Sequence, residues 1–269
     1  MRSPLKWAGG KKRVVDDILK IMPIKNKKRL VEPFVGGGSV FLNTDFDEYL
    51  LIDMNKDLIE LFNIIKYQAV DFIKDAAIFF KGNFNQADKY YTLRQTFNES
   101  NDTYERSLLF LYLNRHGYNG LCRYNKRGGY NVPFGRYKHP YFPKVELQFF
   151  AEKAQRAIFQ QGDFATAFEA IQANDVIYCD PPYSPINRTA NFTAYAGNVF
   201  TDADQQRLVD CALRAKIQGI PTVISNHHVD FTRQLYRQAN KKSFFQVQRS
   251  ISQQGKGRVK VKEVLALYK

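Results

Sequence analysis

The stretch Asp175-Val176-Ile177-Tyr178-Cys179-Asp180-Pro181-Pro182-Tyr183 decides the fold, because an apolar run closes on an acid and two prolines. The run has the length and composition of a buried parallel strand. The prolines cannot continue a sheet, so they fix a rigid turn at its carboxyl end. The same theme recurs in Leu30 to Val35, which runs into Gly36-Gly37-Gly38, in Tyr49 to Asp53, and in Ile220 to Asn226. Helical patterns over Lys56 to Ala69, Tyr104 to Asn114, Phe149 to Phe159 and Asp202 to Lys216 lie between or beside them. Strands alternating with helices predict an α/β sheet with its ligands in the crevice beyond the strand ends, near Gly36, Asp53, Asp180 and Asn226. From Lys56 to Lys144 the rhythm breaks, which predicts an inserted domain. Ser184 to Val199 is long and polar and reads as a mobile loop bordering the crevice.

The turn after Cys179 suits an amino group on an aromatic ring, such as that of adenine. Such a nitrogen is a poor nucleophile because its lone pair is delocalised into the ring. A carboxylate at Asp180 and the carbonyl of Pro181 can each accept one of its N–H bonds and draw it toward a pyramidal geometry, which is electrostatic preorganisation. Pro182 makes the turn rigid, and Tyr183 can stack on a base that has left its duplex. A proline-rich turn with a helix-capping Asp is the competing reading of this tetrapeptide. Phe34-Val35-Gly36-Gly37-Gly38-Ser39 lacks the spacing of phosphate-binding loops. It suits close approach of an adenosyl group, with Phe34, Gly36 and Gly38 as contacts and Asp53 accepting hydrogen bonds from ribose hydroxyls. Glycines that merely turn the chain remain the alternative there. No group of residues calls for a metal.

The formal charge is +14, from 40 Lys and Arg against 26 Asp and Glu. A polyanion is the expected partner, nucleic acid ahead of an anionic membrane. The segment Asn114 to Asn125 interleaves cations, amides, aromatics and glycines as a DNA-reading loop does, and a solvated basic loop is the bland alternative. The three Cys have no metal-ligand or disulfide spacing, and no apolar run reaches membrane-spanning length. A soluble protein of the reducing cytoplasm is expected. The only Trp, Trp7, sits in Lys6-Trp7-Ala8-Gly9-Gly10-Lys11, where it reads equally as a packing anchor or a ligand contact.

Taken in order, KWAGGK (6–11), LVEPFVGGGSVFLN (30–43), FLYLNRHGYNGLC (110–122), NVPFGR (131–136), DPPY (180–183), NFTAY (191–195), ISNH (224–227) and RSIS (249–252) resemble the Dam-type DNA adenine-N6 methyltransferases over nearly the whole chain. The resemblance implies a Rossmann-like S-adenosylmethionine-dependent sheet formed by 1–55 and 145–269, with 56–144 as an inserted, mainly helical target-recognition domain. It implies a cofactor site using Trp7, Lys11, Asp53 and Asp180. It also implies methylation of adenine within GATC in double-stranded DNA by a protein acting as a monomer. On that pattern Arg123 reads guanine, Leu121 and Pro133 touch the outer bases, and Tyr118 and Asn119 invade the duplex as adenine leaves. Arg94, Asn125, Asn131, Arg136 and Lys138 fall where phosphates are held. Departures from the pattern are Gly37, His116 in place of an aromatic residue, and Ser184. Two other functions fit parts of the sequence: methylation of an RNA adenine or another planar amino group, and a DNA-binding regulator without turnover. The wedge residues of the insertion disfavour the first, and the intact Asp53 and DPPY disfavour the second.

Overall fold

A computed structural model describes residues 1–185, 194–195, 198–248 and 260–269. The chain runs through α1 (Val15–Ile21), β1 (Arg29–Glu32), β2 (Glu48–Asp53), α2 (Lys56–Ala76), α3 (Ala87–Glu99) and α4 (Thr103–His116). It continues through α5 (Lys144–Ala154), β3 (Ala157–Gln161), α6 (Phe164–Glu169), β4 (Asp175–Cys179) and the short pair β5 (Ala194–Tyr195) and β6 (Asn198–Val199). The last elements are α7 (Asp202–Ile217), β7 (Thr222–His227), α8 (Asp230–Leu235), β8 (Lys241–Gln248) and β9 (Lys260–Tyr268).

Seven strands form one sheet in the order β3-β2-β1-β4-β7-β9-β8. The first five run parallel, and β9 is antiparallel to both of its neighbours. The α/β expectation holds. After β1 the chain steps outward to β2 and β3, then returns across the sheet to β4, so β1 and β4 flank the switch point where such sheets open a crevice. The Gly36 turn follows β1 and the Asp180 turn follows β4, which brings both to one edge. At the opposite ends of the same strands, Arg29 and Asp175 pair in register. Their side chains form a buried two-pronged ion pair, Nε to Oδ1 at 2.9 Å and Nη2 to Oδ2 at 2.8 Å.

One hydrophobic core covers the sheet face that carries α2 and α5 and continues into the stretch after β2. It takes in Leu58, Phe62, Phe72, Phe110, Tyr112, Leu147 and Phe150 together. The second core lies on the other face, where Phe164, Leu208, Ala212 and Tyr236 pack on Ile177, Ile224 and Ala266. Asn55 caps α2 by accepting from Leu58 N. Helix α2 packs against α4 and α5 and reaches β2 and β3.

The pattern over Phe149 to Phe159 was read as one helix and is two elements. α5 ends at Ala154 and β3 begins at Ala157. Ala157 and Phe159 are buried while Ile158 is exposed, a period of two that a short edge strand hides inside an apolar run. The loop expected over Ser184 to Val199 falls largely on residues 186–193 and 196–197, outside the described residues, as do residues 249–252. Among the described residues no helix is long and apolar enough to cross a membrane.

Candidate active site and nucleic-acid interface

The Gly36 turn is built for close approach. Gly36 has φ +48° and Gly38 φ +71°, values that glycine adopts without strain. A Cβ on Gly36 would lie 2.7 Å from the Trp7 Nε1, and one on Gly37 2.8 Å from the Trp7 Cβ. Trp7 therefore lies directly on the turn, which makes it more than a remote packing anchor. Asp53, buried at the end of β2, ties the turn down by accepting from Gly36 N and from Asn55 N, each at 2.9 Å. Burial pushes its carboxyl up to about 6, against the pull of these N–H donors. Phe34 stacks on Phe164 at 5.4 Å and meets Phe200 edge-on at 5.7 Å, giving the crevice an aromatic wall.

Across the switch point, Asp180 is held from two sides at the same oxygen. Lys11 Nζ lies 3.0 Å from Oδ1, and Ser225 Oγ donates to Oδ1 at 2.8 Å. The Lys11 ammonium also stands 4.5 Å from the centre of the Tyr183 ring. The rest of the turn is fastened to its neighbours. Gln205 on α7 donates to Pro182 O at 2.8 Å, Asn226 Oδ1 accepts from Ser184 N at 3.0 Å, and Tyr183 donates its hydroxyl to Glu263 at 3.0 Å. His227, to which the sequence assigned no role, meets Tyr183 edge-on at 4.7 Å and hydrogen-bonds Ser184 O through Nδ1 at 2.8 Å. Ser225, Gln205 and Glu263 were missed as well. Ser225 lies within the ISNH run without a role assigned there, and each of the three acts only because segments distant in sequence meet at the turn.

Glu32 is a further buried carboxyl at the end of β1. It is 2 % exposed, and its Oε1 has no hydrogen-bond partner. Burial, reinforced by the charge of Asp180 and opposed by the Phe41 backbone, raises it from 4.5 to about 8. The folded protein thus holds a proton that the unfolded chain releases. The corresponding stability is complete below pH 4.5 and is lost as pH rises through about 8. Between pH 6.5 and about 8, the unfolding free energy is expected to fall by roughly 1.4 kcal/mol per pH unit. In Glu32→Gln that slope should flatten. Urea unfolding at several pH values between 6.5 and 8 measures it, and an equal slope in the variant would assign the proton elsewhere.

The basic segment divides in two. Asn114, Arg115 and His116 belong to α4 and are buried, so they are not part of a DNA-reading loop as the sequence suggested. His116 packs 4.2 Å from the Tyr112 ring and 4.9 Å from that of Phe80, filling an aromatic position inside the fold. From Tyr118 the chain reaches the surface, although Gly120, Tyr130 and Val132 stay buried. Tyr118 and Asn119 are exposed, and Asn119 has φ +52°, a left-handed turn conformation. The segment 117–134 doubles back as a ribbon bridged at Tyr124 and Tyr130 and at Gly117 and Phe134.

On this ribbon Arg123 is exposed while its guanidinium is aimed by Asn131, from Nε to Oδ1 at 2.8 Å and from Nη2 to the carbonyl at 3.2 Å. Asn125 Oδ1 accepts from Arg127 N and Gly129 N, so its carbonyl shapes the turn. Leu121 is half-buried, and Pro133, Arg136 and Lys138 are exposed. Arg94 reaches the same ribbon from α3 and donates to Val132 O at 3.1 Å. The ribbon is bolted to the end of β2 by Tyr124, whose hydroxyl donates to Asp57 at 2.6 Å, and by Asn55, which donates to Cys122 Sγ at 3.4 Å.

Residues 7–251 match the D12 class N6 adenine-specific DNA methyltransferase family. A DNA adenine methylase of Vibrio cholerae is 53 % identical over 268 residues, covering 99 % of this chain and 96 % of that protein. The DNA adenine methylase of Serratia marcescens is 51 % identical, covering 100 % and 98 %. That of Escherichia coli K12 is 52 % identical, covering 100 % and 95 %.

Proposed function

The chain belongs to the D12 class of N6 adenine-specific DNA methyltransferases, and we propose that it methylates adenine N6 within GATC in double-stranded DNA, with S-adenosylmethionine as donor. The observation that carries this reading is the Asp180 carboxylate, fixed at Oδ1 by Lys11 and Ser225 beside Pro181 and across the switch point from the Gly36 turn. With Oδ1 engaged, Oδ2 and the Pro181 carbonyl accept the two N–H bonds of the amino group, and Tyr183 stacks on the flipped base. The surplus proton leaves to solvent once nitrogen has bonded to carbon.

The residues fit the donor. Trp7 packs directly on Gly36 and Gly37, the donor lies beside that contact with Phe34 and Gly38 as its border, and Asp53 retains lone pairs for ribose hydroxyls beyond those spent on Gly36 and Asn55. Lys11 sets the Asp180 side of the site. When bound, the donor supplies an electrophilic methyl on a sulfonium.

Target recognition belongs to residues 56–144, with α2 shared between that insertion and the sheet. Arg123, pre-aimed by Asn131, reads guanine; Leu121 and Pro133 meet the outer bases, and Tyr118 and Asn119 enter the stack. Arg94, Asn125, Asn131, Arg136 and Lys138 hold phosphates. Arg123→Ala is expected to lose about 1–3 kcal/mol of discrimination at the guanine position. Competition between GATC duplexes and duplexes changed at that base reads it, and undiminished selectivity would remove Arg123 from the readout.

The test of the whole reading is expression in a host without adenine methylation, followed by digestion of its plasmid. Endonucleases blocked by methylated GATC should fail to cut, and those that require it should cut. The reverse pattern would reject the proposal.

A further inference from the structure

The first eleven residues join the two halves of the proposed site. Asn114, fully buried near the end of α4, grips the backbone of Lys6 at both ends: its Oδ1 accepts from Lys6 N at 2.8 Å, and its Nδ2 donates to Lys6 O at 2.8 Å. The same Nδ2 donates to Gly120 O at 3.2 Å. One amide thus holds both the strap 4–11 and buried Gly120, which ends the loop that exposes Tyr118 and Asn119. Arg115 adds its Nε and Nη2 to Pro4 O. Gly120 itself presses on the strap, since a Cβ there would overlap the Cβ of Lys6. One residue beyond this grip Trp7 lies on Gly36 and Gly37, and five beyond it Lys11 pairs with Asp180.

We propose that Asn114 is a positioning residue that couples the duplex-invading loop to the methyl-donor cradle, so that donor and DNA each strengthen the binding of the other. The inference rests on the function proposed above and adds to it a physical link between the two ligands. Occupation of the loop by DNA fixes Gly120, hence Lys6, hence the indole beside the donor. The ordering cost of the strap is then met once for two ligands. Coupling of this kind is reciprocal, and a factor of about 10 is within its usual range.

Trp7 is the only tryptophan, so its fluorescence reports the cradle directly. S-adenosylhomocysteine, the demethylated product of the donor, is titrated against the full chain without and with a saturating GATC duplex, following Trp7 emission. The wild type is expected to bind it about 10-fold more tightly with DNA present. In Asn114→Ala that ratio should collapse toward one, while anisotropy of a labelled duplex shows that DNA still binds and thermal unfolding shows that the chain still folds. Gly120→Ala is the second variant. Although it lies on the DNA side, it should weaken S-adenosylhomocysteine binding in the absence of DNA by about 10-fold, because the added methyl displaces Lys6. A wild-type ratio of one, or an Asn114→Ala ratio equal to that of the wild type, overturns the proposal. So does unchanged S-adenosylhomocysteine binding in Gly120→Ala. Failure of the wild type to methylate GATC would instead overturn the function itself, and the plasmid digestion reads that separately.

Discussion

Asp180→Ala is expected to lower the rate of adenine methylation by at least 10²–10³-fold, the usual loss when one oriented acceptor is removed from a reacting group. The loss should fall on kcat, because the carboxylate matters most once the amino nitrogen has begun to take on positive charge. Binding of DNA should change little, since the ribbon at 117–134 is anchored through Tyr124 and Cys122 to the start of α2. Stability should also change little: the Asp180 side chain is 22 % exposed, and the turn keeps its fastenings to Gln205, Asn226 and Glu263. Single-turnover methylation of a GATC duplex, beside thermal unfolding of the same preparation, separates these quantities. A folded Asp180→Ala protein working at the parent rate would refute the mechanism.

Asp175→Ala should have the largest effect on stability. Asp175 accepts from Arg29 Nε and Nη2 and from Gln172 N, and the two charged side chains are 2 % and 10 % exposed. Removing the carboxylate leaves a guanidinium inside the sheet with, among the described residues, only Ala170 O to accept from its Nη2. Stranding a buried charge costs about 3–5 kcal/mol. For a domain of this size that lowers Tm by roughly 10 °C. The matching test on the surface is Asp45→Ala, which breaks the exposed pair with Arg156 and should leave the melting temperature close to that of the parent. Replacing both buried partners, Arg29→Met with Asp175→Leu, should recover much of the loss, because no charge then remains to be desolvated. If Asp175→Ala melts with the parent, the pair is not the fastening between β1 and β4.

How legible these features were depended on how local their causes are. The turns at Gly36 and Asp180 could be read directly, because glycines and prolines at a strand end constrain the backbone whatever surrounds them. The strands leading into them carry uninterrupted apolar runs, and β1, β2, β4 and β7 lie where those runs predict. β3 was absorbed into a helix because five residues of edge strand following a helix look like one more turn of it. β8 and β9 each carry two lysines, and β9 pairs with both β7 and β8. Ser225 and Glu263 depend on the same long-range pairing, so their part in holding Asp180 and Tyr183 left no mark in the residues beside them. Asn114 and Arg115 misled for the opposite reason. A cation and an amide next to an exposed loop resemble DNA contacts until the helix turns them inward.

The place of β9 has a consequence for synthesis. It follows the other six strands of the sheet in the chain, yet sits between β7 and β8. While a ribosome is still making residues 260–269, β7 has no partner on that side, and β8 has no partner in the sheet. Glu263, which takes the Tyr183 hydroxyl across 80 positions of sequence, arrives with that strand. Until that strand is in place, the turn at Tyr183 lacks its fastening to Glu263 and the sheet stays open beside β7.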